Sequence, residues 1–184
     1  MNKHRIAVIP GDGIGIDTIQ EAALTLRAVC RVHGGIELEY TYYPWGCDYY
    51  LQTGAMMPAD GLKTLADYDA ILFGAVGYPS VPDHISLWGL LLPIRQHFDQ
   101  YINLRPVRLL PGIPGPLRSK GAQEINFVCI RENTEGEYCG IGGRAHPGAH
   151  DEVAVQTAVF TRGGVERVLR YGFELARRRP RHEL

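Results

Sequence analysis

The chain has 184 residues, enough for one full domain or for one domain and part of another. Its composition is that of an ordinary globular protein: 45% hydrophobic, 21% charged, with a net charge of −1 at pH 7. Nothing in that balance calls for nucleic acid or a membrane surface as a partner.

Basic residues are nonetheless uneven, with Arg162, Arg167, Arg170, Arg177, Arg178, Arg179 and Arg181 crowding the C-terminal end. Cations suit the carboxyl end of a helix dipole, so a solvated helix end is preferred here over a nucleic-acid patch. At the other end Lys3 and Arg5 precede the apolar run 6–9, which Pro10-Gly11 stops at once. That run is too short for a signal-peptide core or a membrane span. The four cysteines, Cys30, Cys47, Cys129 and Cys139, show no C-x-x-C spacing. Reduced thiols in a cytoplasmic protein are therefore expected.

In chain order, the unbroken β-branched run 5–9 predicts a strand covered on both faces. Pro10-Gly11-Asp12-Gly13-Ile14-Gly15 follows, then an amphipathic helix over about 17–32 with Ile19, Ala22, Ala23, Leu26 and Val29 on one face. Strand, glycine turn and helix open a βα unit. The turn falls short of G-x-G-x-x-G, and two readings stand: glycines for a tight turn, or a backbone that lets a cofactor approach closely. Gly34-Gly35 ends the helix, and the alternation over 36–43 predicts a second strand. Short helices are expected near 47–51 and 58–66, and a buried strand at 69–73, closed by Gly74-Ala75-Val76-Gly77. Glycines at the carboxyl ends of strands argue for an α/β fold, whose ligands gather at that end of the sheet.

The apolar run 85–94 contains Pro93, which fits a helix comfortably only in its first turn. A helix from about Leu90 or Leu91 to about Tyr101 is therefore predicted, with Arg95 one turn in. A strand is expected over 103–109, a glycine- and proline-rich loop over 111–121, and an apolar strand over 125–130 that delivers Arg131. A glycine-rich arm then spans 140–150 and an alternating segment 152–160. The last element is an amphipathic helix over 164–178, with Val165, Val168, Leu169 and Ala176 on its apolar side.

Arg95, Arg105 and Arg131 all fall in ordered elements, and Tyr138 follows closely on the last. An arginine fork gives a carboxylate two parallel charge-assisted hydrogen bonds. Two readings remain open on spacing alone, a shared pocket for a polycarboxylate and scattered surface ion pairs.

Taken in order, Pro10-Gly11-Asp12-Gly13-Ile14-Gly15, Gly74-Ala75-Val76-Gly77, Asn103-Leu104-Arg105-Pro106 and Arg131-Glu132-Asn133-Thr134-Glu135-Gly136-Glu137-Tyr138 resemble the metal-dependent β-decarboxylating dehydrogenases. That family includes the isocitrate, isopropylmalate and tartrate/D-malate enzymes. His84-Ile85-Ser86-Leu87-Trp88-Gly89 with Phe98-Asp99-Gln100-Tyr101 looks most like the tartrate/D-malate branch. The resemblance implies an isocitrate/isopropylmalate dehydrogenase-like α/β fold with a parallel-rich sheet flanked by helices. It implies a cofactor-side domain beginning in 1–102 and a substrate and dimerisation domain beginning in 103–184, with an arm at 140–160. It further implies that Arg95, Arg105 and Arg131 hold the carboxylates of a small dicarboxylate substrate, and that Tyr138 protonates the enol left when CO2 departs. Gly13, Ile14, Gly74, Ala75 and Val76 would line NAD, and Trp88 and Leu91 would face the substrate's variable group. Leu92 is the one of that trio expected to serve core packing instead. A homodimer is implied as well.

The resemblance also implies that the family's catalytic lysine, its Mg²⁺- or Mn²⁺-binding aspartates and its adenosine-recognition loop lie beyond the position matching Leu184. Lys120 is the last lysine of this sequence. A truncated fold with an unpaired strand edge is thus expected, and a chain that does not turn over alone. The alternative reading is an inactive fragment that at most binds a dicarboxylate or a partner subunit.

Overall fold

The computed structural model describes residues 2–184, and the chain divides into two compact units, Met1–His97 and Phe98–Leu184. The first is built on a three-stranded parallel sheet in the order β2-β1-β3, from β1 (Asn2–Ile9), β2 (Ile36–Tyr42) and β3 (Ala70–Phe73). Ile6 is the register point, opposite Tyr40 on β2 and Ala70 on β3. As the central strand, β1 runs fully buried from Ile6 to Ile9, which is why its sequence carries no polar interruption. Ile6, Val8 and Ile19 form the core on one face, with Leu38, Tyr40 and Leu72 packed against them.

Helix α1 (Ile14–His33) starts earlier than the periodicity predicts, because Gly13 takes a φ of 52° and turns the chain directly into it. It buries Ile19 and Ala23, whereas Val29 is exposed, so the apolar face is shorter than expected. Gly34, at φ 74°, closes the helix by donating its N–H to the Cys30 carbonyl. Short helices α2 (Cys47–Thr53) and α3 (Gly61–Leu65) follow.

The segment around Pro93 differs from expectation. Helix begins at α4 (Asp83–Ser86), passes through a π turn at Leu87–Leu91 and continues as α5 (Leu92–His97). Pro93 does lie in the first turn of α5, but that turn is preceded by wound chain. Proline has no N–H to offer the preceding ladder, and the wider turn, with Leu92 N–H bonded back to Leu87 O, takes the chain past it. The helix stops at His97 and not near Tyr101, just ahead of Asp99, whose φ of 44° cannot continue it.

The second unit pairs β4 (Ile102–Arg108) with β5 (Asn126–Glu132) antiparallel, and β6 (Gly142–Ala145) with β7 (Val153–Gln156) antiparallel. Pro106 is tolerated because β4 is an edge strand. Helix α6 (Arg162–Arg178) buries Gly164, Gly172 and Ala176, with Val168 half-buried between them. Expectation put Val165 and Leu169 on the inner side. They are exposed instead, because the small residues Gly164, Gly172 and Ala176, spaced at multiples of four, form the inner row, and Gly172 approaches Ile130 of β5.

Candidate substrate and cofactor sites

In the second unit the sheet register decides which side chains meet. Asn103 lies opposite Arg131, and Arg105 opposite Cys129. Residues two apart on a strand share a face, and directly opposed residues share it too, so Arg105 and Arg131 project from one face of the β4–β5 ribbon. They are diagonal neighbours, a relation that on such ribbons spans roughly 7–8 Å. Tyr138 joins them, since the Arg131 Nη2 donates to the Tyr138 hydroxyl at 2.5 Å and the guanidinium lies 5.1 Å from the ring centroid. The phenol oxygen thus accepts from Arg131, and its own proton is directed away from the guanidinium.

What holds this face in shape is the turn after β5. Asn133 is buried, takes its N–H to the Tyr101 carbonyl at 3.1 Å and donates its side-chain amide to the Gln100 carbonyl at 3.0 Å. The Glu132 carboxylate accepts from the Thr134 hydroxyl at 2.6 Å and the Glu135 N–H at 2.8 Å. Burial raises the Glu132 carboxyl, but the bonds from Thr134, Glu135 and Asn133 outweigh it and hold the group below its ordinary range. Arg167 of α6 reaches across to the same turn. Its Nη1 donates to both Asp99 oxygens at 2.8 and 2.9 Å, its Nη2 donates to the Thr134 hydroxyl at 2.9 Å, and the guanidinium stacks 4.4 Å from the Tyr101 ring centroid. The sequence reading placed Arg167 in a solvated cluster and missed this role. Only its spacing of 68 residues from Asp99 separates the two halves of the pair, and nothing local signals it.

Arg95 belongs to α5 of the first unit, where Leu92 and Ile94 on either side of it are buried and Arg95 itself is half-buried. Leu92 is core, as expected of it. Trp88 and Leu91 keep partial exposure on the π turn. A cleft in the same unit is lined by Tyr50, Met56, Met57, His84 and Trp88.

The glycines at the carboxyl end of the parallel sheet divide by what surrounds them. A Cβ on Gly74 would fall 1.9 Å from the Pro10 carbonyl oxygen, and one on Gly15 would fall 2.5 Å from that same oxygen. These two exist so that the loops after β1 and β3 can touch. Gly13 has nothing within 4 Å of such a position, and Ile14 beside it is 67% exposed. Gly13, Ile14 and Ala75 therefore form the open upper side of a wall whose joint is Gly15 and Gly74. The tight-turn reading of these glycines is thus realised at Gly15 and Gly74, while Gly13 faces open space.

The model of the isocitrate/isopropylmalate dehydrogenase family matches residues 5–184. The chain belongs to that family. Among relatives of this dehydrogenase-family chain, a probable tartrate dehydrogenase/decarboxylase of Agrobacterium vitis is 53% identical over 181 residues, covering 98% of this chain and 51% of that protein. The D-malate dehydrogenase [decarboxylating] of Escherichia coli (strain K12) is 53% identical over 186 residues, covering 100% and 51%. The crystal structure of isocitrate dehydrogenase from Methylococcus capsulatus superposes with a TM-score of 0.79 at 29% identity, covering 95% of this chain and 48% of that one. The chain spans about half the length of the curated relatives it matches. No helix among the described residues is long and apolar enough to cross a membrane.

Proposed function

We propose that this chain is the substrate-arginine half of a decarboxylating dehydrogenase acting on a 2-hydroxy dicarboxylic acid, D-malate or tartrate. The observation that carries this reading is the common ribbon face of Arg105 and Arg131, with Tyr138 hydrogen-bonded to the second. Two guanidinium forks on one face bind one or both carboxylates of a small diacid and exclude molecules without that charge. Arg95 is assigned to the same substrate by the family resemblance. Tyr138 offers the O–H that protonates the carbon left as an enolate once CO2 has gone, with Arg131 fixing the orientation of its oxygen. The relatives named as tartrate dehydrogenase/decarboxylase and D-malate dehydrogenase [decarboxylating] support the substrate class.

Gly13, Ile14, Gly74, Ala75 and Val76 are proposed to line NAD, which when bound supplies the acceptor for the hydride leaving C2. The family resemblance also calls for Mg²⁺ or Mn²⁺. Among the described residues no group of three His, Cys, Asp or Glu gathers, so the residues present do not form a site for it. The second copy in a homodimer is proposed to cover the outer face of α6, where Val165, Leu169 and Phe173 are exposed in one row. All four cysteines are free thiols, which supports a cytoplasmic location.

Calorimetric titration of the chain with D-malate and with tartrate, against lactate as a one-carboxylate control, tests the reading. Binding of the diacids that is lost in Arg105→Ala and in Arg131→Ala is expected. Lactate binding as tightly as D-malate would remove the two-arginine clamp.

A further inference from the structure

Three loops of the first unit close over a single carboxylate. Asp12 is 4% exposed, although it sits in a glycine turn between the exposed Gly13 and the end of β1. Its Oδ1 accepts the Cys47 N–H at 2.8 Å, at the start of α2, and its Oδ2 accepts the Gly77 N–H at 3.0 Å, in the loop after β3. Its own N–H donates to the Ala75 carbonyl at 2.7 Å, and its carbonyl accepts from the Gly15 N–H at 2.9 Å.

The fit around the carboxylate is close. A Cβ on Gly46 would fall 2.7 Å from Asp12 Oδ1, so that position has room for glycine alone. Cys47 beneath it is fully buried, and burial, followed by its bond with Asp12, pushes the thiol up to about 12. A buried carboxylate is costly unless several donors meet it, and here N–H groups from two separate loops do so. An asparagine of the same shape has one acceptor oxygen. Its NH2 would face one of those two N–H groups donor to donor.

The loops that Asp12 joins are those whose open upper side carries Gly13, Ile14 and Ala75. We propose that Asp12 is a positioning residue for the nucleotide wall, locking Gly13–Ile14 against Ala75–Gly77 from below without touching the nucleotide itself. The inference rests on the proposed reading of that wall as the NAD surface.

The test compares Asp12→Asn with Ile6→Val, a core substitution in the same sheet that lowers the melting temperature without altering the loops. NAD⁺ affinity is read by calorimetry, and Cys47 alkylation by N-ethylmaleimide is read peptide by peptide by mass spectrometry. Asp12→Asn is expected to weaken NAD⁺ binding at least tenfold and to speed Cys47 labelling at least tenfold, while Ile6→Val changes each less than twofold. Unchanged NAD⁺ affinity in Asp12→Asn, with the unaltered chain binding well, overturns the positioning role and leaves the wall reading standing. An equal loss in Ile6→Val overturns it as well, since stability alone would then explain the effect. If the unaltered chain does not bind NAD⁺ at all, the wall reading fails and this inference falls with it. Should Asp12→Asn not fold, Gly46→Ala presses on the same carboxylate while keeping its charge, and unchanged NAD⁺ affinity there is the overturning result.

Discussion

Arg131 both donates a hydrogen bond to the Tyr138 hydroxyl and lies over its ring, 5.1 Å from the centroid, so one guanidinium fixes the phenol in direction and in distance. A lysine keeps the charge but loses the planar fork, and it cannot hold a carboxylate and the phenol oxygen in the same fixed geometry. In the complete active enzyme, Arg131→Lys is expected to cost about 1–3 kcal/mol in kcat/KM. Tyr138→Phe leaves the proposed clamp and removes the proposed proton donor, so it should lower kcat with little change in diacid affinity. Steady-state kinetics beside diacid titration checks both, and a Tyr138→Phe enzyme with undiminished kcat would take the donor role from Tyr138.

Glu132 makes the turn that carries Asn133 and Thr134 sensitive to acid. Its carboxyl is held below its ordinary value of 4.5, so the unfolded chain binds the proton more readily than the folded one. Stability from this group is present above about pH 4.5 and is lost as pH falls through the lower folded value. Melting curves from pH 7 to pH 3 should show the unaltered chain ahead of Glu132→Gln at neutral pH, the gap closing below 4.5. A gap that widens on acidification would contradict the assignment.

The outer row Val165, Leu169 and Phe173 on α6 places apolar surface where a monomer would expose it. If a second copy covers it, Leu169→Glu puts a charge into that contact without disturbing the inner row of Gly164, Gly172 and Ala176. Light scattering after size exclusion is expected to read a dimer for the unaltered chain and a monomer for Leu169→Glu, at similar melting temperatures. A monomer in both cases sets the dimer proposal aside.

What the sequence revealed and what it concealed follow a physical line. Strand β1 was legible because a central parallel strand is apolar without interruption, and β2 because its exposed side forces alternation. Pro93 announced a first turn through its missing N–H. The wound chain before it was not legible, since a π turn has no composition of its own. Asp12 was concealed for a related reason. An aspartate in a glycine turn is what any tight turn carries, and its partners at Cys47 and Gly77 lie 35 and 65 residues away. On α6 the apolar periodicity points inward correctly at Val168 and Ala176 but not at Val165 and Leu169, because hydropathy does not register that Gly164 and Gly172 belong to the buried face. Motif order singled out Arg105, Arg131 and Tyr138 as candidates, but the common face of the two arginines required the register of the β4–β5 pair, and Tyr138 joins it through its bond from Arg131.

The start of α6 shows how far such long-range partners reach. Thr161 caps the helix with its hydroxyl on the Gly164 N–H at 3.0 Å. In a capping box a glutamate three residues on would reach back to the cap residue's own N–H. Here that position is Gly164, and Glu135 supplies the carboxylate instead, accepting from the Thr161 N–H at 2.9 Å and its hydroxyl at 2.6 Å. A Cβ on Gly164 would lie 2.3 Å from Glu135 Oε2, whereas one on Gly163 would meet nothing within 4 Å. Gly163→Ala should therefore stabilise by about 0.5–1 kcal/mol through helix propensity alone. Gly164→Ala gains the same propensity but expels the Glu135 carboxylate, losing hydrogen bonds to a charged group of about 1.5–3 kcal/mol in kind, discounted for exposure. The two variants should thus melt on opposite sides of the unaltered chain, and Glu135→Ala should erase most of the difference between them. If Gly164→Ala melts as high as Gly163→Ala, the remote carboxylate does not cap this helix.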